Sequence, residues 1–259
     1  MAEALWAELM KVRRSRLPLV SVLAFTVAAG VGGLFMFILA DQQRARALGL
    51  LGAKAELASG TADWPAYFAF LGQAVSVGGT MVFGLIVVWI FGREFSDDTA
   101  KDMLALPTSR TVIVAAKFTV TGAWCLLLAV WTYVLGLAIG SGLRLPGWSG
   151  HAAVHGLTVL LVTAAMTVLL IVPFGLVASV GRGYLAAVGA IFAAVFVAQV
   201  VALLGYGQYF PWSVPALYSG IAGPDEQTPG SLGYLLVIAV GVAGTAATVL
   251  WWRTADQNR

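Results

Sequence analysis

Six stretches of this 259-residue chain contain no Asp, Glu, Lys or Arg: 17–40, 64–92, 118–143, 145–181, 183–224 and 227–252. A helix needs about 20 apolar residues to cross a hydrocarbon core of roughly 30 Å, and each stretch is long enough. A transmembrane barrel would instead show alternating segments of about ten residues, and none appear. Charged residues make up 10% of the chain, against about 25% in a soluble protein. The sequence therefore predicts an all-α integral membrane protein forming a single transmembrane domain. Its six transmembrane helices are expected near 17–40, 67–91, 112–140, 154–178, 184–204 and 232–252.

Charge distribution sets the expected orientation. Six spans put both termini on one side, together with Lys11, Arg13, Arg14, Arg16, Arg93, Lys101, Arg110, Lys117, Arg182, Arg253 and Arg259. The other side holds Arg44, Arg46, Lys54 and Arg144. Eleven basic residues against four predict that both termini are cytoplasmic. No soluble basic face is left for nucleic acid. The one cysteine, Cys125, lies in the third span, so no internal disulfide can form. The first apolar run is longer than the 7–15 residues usual in a signal peptide, which predicts an uncleaved first helix.

Residues 2–16 read as a helix with Leu5, Trp6, Leu9, Met10 and Val12 on one side and Glu3, Glu8, Lys11 and Arg14 on the other. One reading is an interfacial helix, with Trp6 at headgroup level and the arginines near anionic lipid. The other is a plain basic flank that orients the first span. Residues 205–231 are rich in aromatics, Gly and Pro, too apolar for a free loop and too short to span. They are expected as an outer re-entrant turn or an interfacial aromatic anchor.

A polar island separates spans two and three. Residues 92–117 hold eight of the chain's 27 Asp, Glu, Lys and Arg residues. Ser96 or Thr99 can cap a short helix there, Asp97 and Asp98 suit its N-terminal end, and Asp97 and Lys101 stand at i,i+4. Met103, Leu104 and Leu106 give it an apolar side, and Pro107 ends it. Thr108 or Ser109 can then cap the third span. The pattern is span, short cytoplasmic helix, sharp stop, span.

This pattern resembles the cytoplasmic loop of ABC type-2 permeases, the membrane subunits of ATP-driven exporters. The residues that carry the resemblance are Gly92-x-Glu94, Thr99, Leu104-x-Leu106-Pro107-x-Ser109-Arg110 and Lys117. Glu8-x-x-Lys11 ahead of the first span is similar to the family's connecting helix. The layout and the segment Pro211 to Pro215 resemble the bacitracin- and lantibiotic-export branch. The resemblance implies that 92–111 holds a coupling helix for a separate ABC ATPase, with Glu94, Asp97, Thr99, Lys101, Leu104, Pro107 and Arg110 as the candidate contact. It implies pairing with itself or a related permease, two ATPase chains, and a bacterial-type plasma membrane. ATP and magnesium would bind at the partner, because this chain lacks G-x-x-x-x-G-K-[ST] and needs no cofactor of its own.

Rival functions are weaker. A secondary transporter or channel is the main alternative, and a proton-driven one is expected to show ionisable groups within its spans, where none are expected here. His151 and His155 stand at i,i+4, as an intramembrane metal or haem protein would require, but no further ligand stands near them in sequence. No metal site is therefore expected. Gln73, Ser76, Thr80 and Gln199 are polar positions inside the spans. They either line a substrate pathway or bond across helices.

Overall fold

The computed structural model describes residues 1–49, 60–97, 99, 108–220 and 229–254. Among these residues the regular structure is helical throughout, with no strand. Six helices are long and apolar enough to cross a membrane: Leu17–Ala40, Trp64–Ser96, Arg110–Gly142, Gly150–Val180, Leu185–Leu203 and Ser231–Thr254. They are numbered here as spans 1 to 6. The all-α, six-span fold expected from the uncharged runs is the fold observed.

Local chemistry sets several span starts. Asp63 accepts the N–H of Ala66 at 2.9 Å, and Pro65 occupies the first turn of span 2. Ser109 accepts the N–H of Val112 at 3.4 Å to open span 3, and Ser149 accepts that of Ala152 at 3.0 Å to open span 4. Span 2 is not uniform. Its helices Trp64–Gln73 and Gly79–Ser96 are joined by a π-helical turn over Ala74–Gly78. Such a turn frees backbone carbonyls, and two hydroxyls bond there: Ser76 donates to the carbonyl of Gln73 at 2.9 Å and Thr80 to that of Ser76 at 2.7 Å.

Spans 2 and 4 form the centre of the bundle. Phe83, Phe91, Leu170 and Ile171 are all but fully buried. With lipid on the outside, close packing between helices depends on small residues. Gly84 lets Ile191 of span 5 approach, and a Cβ there would lie 2.8 Å from Ile191 Cδ1. At Gly140 of span 3 a Cβ would lie 2.5 Å from Trp64 Cη2. Trp64 is itself held by Phe68 and Trp148, with ring centroids at 5.3 and 4.8 Å. Gly140→Val is therefore expected to destabilise the bundle by about 1–3 kcal/mol through overpacking. Thermal unfolding in detergent should show a lower Tm, and an unchanged Tm would mean that this aromatic cluster yields freely.

Several span ends differ from the sequence reading. Span 2 continues as helix through Ser96, five residues past its expected end at 91. Span 3 begins at Arg110, ahead of the expected 112. Both extensions bring charged residues into the helices, because those charges find partners there. After span 5, Gly207–Tyr209 and Pro211–Ser213 form 3₁₀ turns and Val214–Tyr218 forms a short helix. This segment packs on spans 4, 5 and 6 with Val214 fully buried. Ser213 Oγ donates to the carbonyl of Ala198 at 3.0 Å. Its continuation, residues 221–228, lies outside the described residues.

Candidate functional site

The N-terminal helix, Ala2–Arg13, lies against spans 1 and 3. Its inward side mixes the two faces of the sequence wheel. Glu8 and Val12 are buried, whereas Trp6 is 63% exposed and Leu9 is exposed. The inward carboxylate is satisfied by Lys11 of its own helix and by Lys117 of span 3.

Four charged side chains close a ring. Lys11 Nζ donates to Glu8 Oε1 at 3.0 Å and to Glu94 Oε1 at 2.6 Å. Lys117 Nζ donates to Glu8 Oε2 at 3.2 Å and to Glu94 Oε1 at 2.9 Å. Its third proton goes to the carbonyl of Ile90 at 2.9 Å, so an ammonium that is 0% exposed has all three donors used. The second oxygen of Glu94 accepts the hydroxyl of Thr99 at 3.0 Å. Positive and negative charges alternate and balance, which is the condition for keeping ions out of water. The expectation that the spans carry no ionisable group is therefore corrected: Glu94 and Lys117 lie within the helices of spans 2 and 3 and are buried. They persist there because each is paired.

Burial by itself would lower the pKa of Lys11, but the carboxylates of Glu8 and Glu94 outweigh it, and the value rises above the ordinary 10.5. A raised pKa means that the stability contributed by protonation of Lys11 is fully present below pH 10.5 and is lost as pH climbs through the raised value.

The ring brackets the loop between spans 2 and 3. Glu94 stands in the last turn of span 2, Lys117 within span 3, and Thr99 between them. The other loop candidates are placed as follows. Asp97 pairs with Arg93 at 2.9 Å. Arg110 Nη1 donates to the carbonyl of Trp252 at 3.0 Å, and Trp252 Nε1 donates to Ser179 Oγ at 3.0 Å, joining spans 3, 6 and 4 at the same end. Lys101, Leu104 and Pro107 lie outside the described residues. Arg14 is exposed at the end of the N-terminal helix. Sequence reasoning placed Glu8 and Lys11 in one motif and Glu94 and Lys117 in another, and missed that the two motifs meet.

A second polar locus lies toward the other end of the bundle. A cavity of about 50 Å³ is lined by Ser76 and Thr80 of span 2, Gln199 of span 5, and Trp212 and Ser213 of the folded-back segment. The Trp212 Nε1–H is buried without a hydrogen-bond partner. Gln73 does not line this cavity; its Nε2 donates to the carbonyl of Gly220 at 3.4 Å. His151 and His155 stack with ring centroids 6.3 Å apart and planes within 4°. Among the described residues no group of three or more His, Cys, Asp or Glu stands ready to hold a metal.

The model of the ABC-2 family transporter proteins matches residues 4–200, which include the N-terminal helix, the ring and the bracketed loop. The chain is similar to the bacitracin transport permease protein BCRB of Bacillus licheniformis, with 26% identity over 181 residues. That alignment covers 69% of this chain and 85% of the relative. With six membrane helices and a family match across most of its length, the chain belongs to the ABC-2 transporter family and is a multi-pass membrane subunit of an ABC transporter.

Proposed function

We propose that this chain is the permease of an exporter in the bacitracin-export branch, and that the loop 92–111 transmits the work of a separate ATPase into the bundle. The observation that carries this reading is the Glu8–Lys11–Glu94–Lys117 ring. It ties the N-terminal helix and spans 2 and 3 together where the loop leaves and re-enters. A force on the loop therefore acts on three elements together. Charge-balanced, fully bonded ions hold a geometry more strictly than apolar contacts do, because each displaced partner would be left unsatisfied.

In this mechanism two copies of the chain, or this chain and a related permease, form the pathway. Two ATPase chains bind beneath and hold ATP and magnesium. Closure of the ATPase pair moves the loops, the rings carry that movement into spans 2 and 3, and the paired bundles alternate between inward and outward access. Ser76, Thr80 and Gln199, beside the π turn and the free Trp212 N–H, are the pathway residues. A π turn suits such a place because single π turns inside helices recur at functional sites. Gln73 acts at the rim by holding the folded-back segment. The membrane in this reading is a bacterial-type plasma membrane, and the charge bias supports cytoplasmic termini, with the ring then on the ATPase side. The exposed Trp6 and Leu9 then rest at the inner interface.

Native mass spectrometry of the expressed operon in mild detergent tests the assembly. The expected species holds two permease chains and two ATPase chains. A permease recovered only as a monomer without ATPase, or an ATPase cross-linked only to the end of the bundle opposite the ring, would contradict the reading.

A further inference from the structure

We infer that the groove between the N-terminal helix and the end of span 2 seats the phosphate of an anionic membrane lipid. The groove has a volume of about 410 Å³, and Met10, Lys11, Arg14, Trp89 and Arg93 line it. Three cations line it, and no carboxylate does. Lys11 is committed to the ring, in which two ammonium and two carboxylate groups balance. Arg93 gives Nε to Asp97 at 2.9 Å and lies 5.0 Å over the Trp89 ring. Arg14 is exposed and has no ion-pair partner among the described residues. Arg13 and Arg16 beside it are exposed too. The mouth of the groove therefore has a surplus of positive charge, and guanidinium groups suit the oxygens of a phosphate.

Depth favours a lipid over a soluble anion. The groove stands where span 1 begins at Leu17 and span 2 approaches its end at Ser96. That is headgroup level, where Trp89 is also at home. Just beyond Arg14 along the chain, span 1 turns Leu19, Val20 and Leu23 outward, an apolar face that acyl chains can follow. The seat also touches the ring, because Lys11 both lines the groove and bonds Glu94. The binding itself does not depend on how the loop works, so its failure and the failure of the coupling reading are separate results.

The full chain, purified in detergent, is exposed to equal amounts of dioleoyl phosphatidylglycerol and dioleoyl phosphatidylcholine, and retained lipid is read by native mass spectrometry. Phosphatidylglycerol should be favoured roughly tenfold or more, since two arginines at a membrane surface act together. Arg14→Gln with Arg93→Gln should bring the preference down to near equality, while Arg144→Gln at the opposite end leaves it unchanged. Should the double variant fail to elute as a folded species, Arg14→Gln alone carries the test, with a loss of about fivefold. Equal retention of the two lipids by the unmodified chain would overturn the proposal, as would a folded glutamine variant that keeps the preference. Displacement of phosphatidylglycerol by inorganic phosphate at matching concentration would assign the groove to a soluble anion and overturn the lipid assignment.

Discussion

Lys117→Met should destabilise the chain by about 3–5 kcal/mol, the usual penalty for removing one partner from a buried ion cluster. Methionine fills much of the space of the lysine stem, so the loss is electrostatic rather than a cavity. It strips Glu8 of the bond at 3.2 Å and Glu94 of the bond at 2.9 Å, and leaves two carboxylates facing one ammonium. It also frees a site on the carbonyl of Ile90. The measurement is thermal unfolding in detergent, where a loss of this size lowers Tm by roughly 10 °C. A second variant separates charge balance from simple disruption. Glu8→Gln with Lys117→Met removes one charge of each sign and leaves Lys11 facing Glu94 at 2.6 Å. It should recover a substantial part of the lost stability, because residues in one network do not act additively. A double variant as unstable as the sum of its parts would show that the four charges do not act as a ring.

The spans were legible in the sequence because lipid imposes a blunt condition, a long run without charge, and the runs show it directly. Their ends were not, for the same reason. A rule that stops at the first charge ends span 2 before Arg93 and Glu94, although the helix runs on through Ser96. Glu8 and Lys11 are three apart and could be paired by inspection, but the contacts that define the site join residues 83 and 109 positions apart. Nothing local encodes such a meeting; it follows from how the helices pack. Glu8 turns inward to Lys117, brought by span 3, which a wheel of the N-terminal helix alone does not show. The π turn was hidden because Ala74–Gly78 has the composition of an ordinary helix. The aromatic segment after span 5 was recognisable as something other than a loop. Its packing on spans 4, 5 and 6 needed the fold.

Leu104→Asp should separate the permease from its ATPase while leaving the bundle intact. Residues 92–111 resemble a coupling loop, and Glu94 anchors that loop by bonding Thr99 within it and Lys117 beyond it. Leucine there would enter a cleft on the partner. Aspartate would carry an unpaired charge into the same contact, at a cost of about 3 kcal/mol or more. A loss of that size weakens the complex at least a hundredfold, since each 1.4 kcal/mol is about tenfold. The variant differs in kind from Lys117→Met, which acts on the stability of the chain itself. Leu104→Asp should keep its Tm and its monodisperse elution and lose only its partner. The most direct test is quantitative co-purification of the ATPase with this variant, together with substrate-stimulated ATP turnover of whatever complex is recovered. The account predicts a folded permease that brings down little or no ATPase and gives no stimulation. Full co-purification with unchanged stimulation would contradict it, and would mean that the loop between spans 2 and 3 is not where the ATPase takes hold.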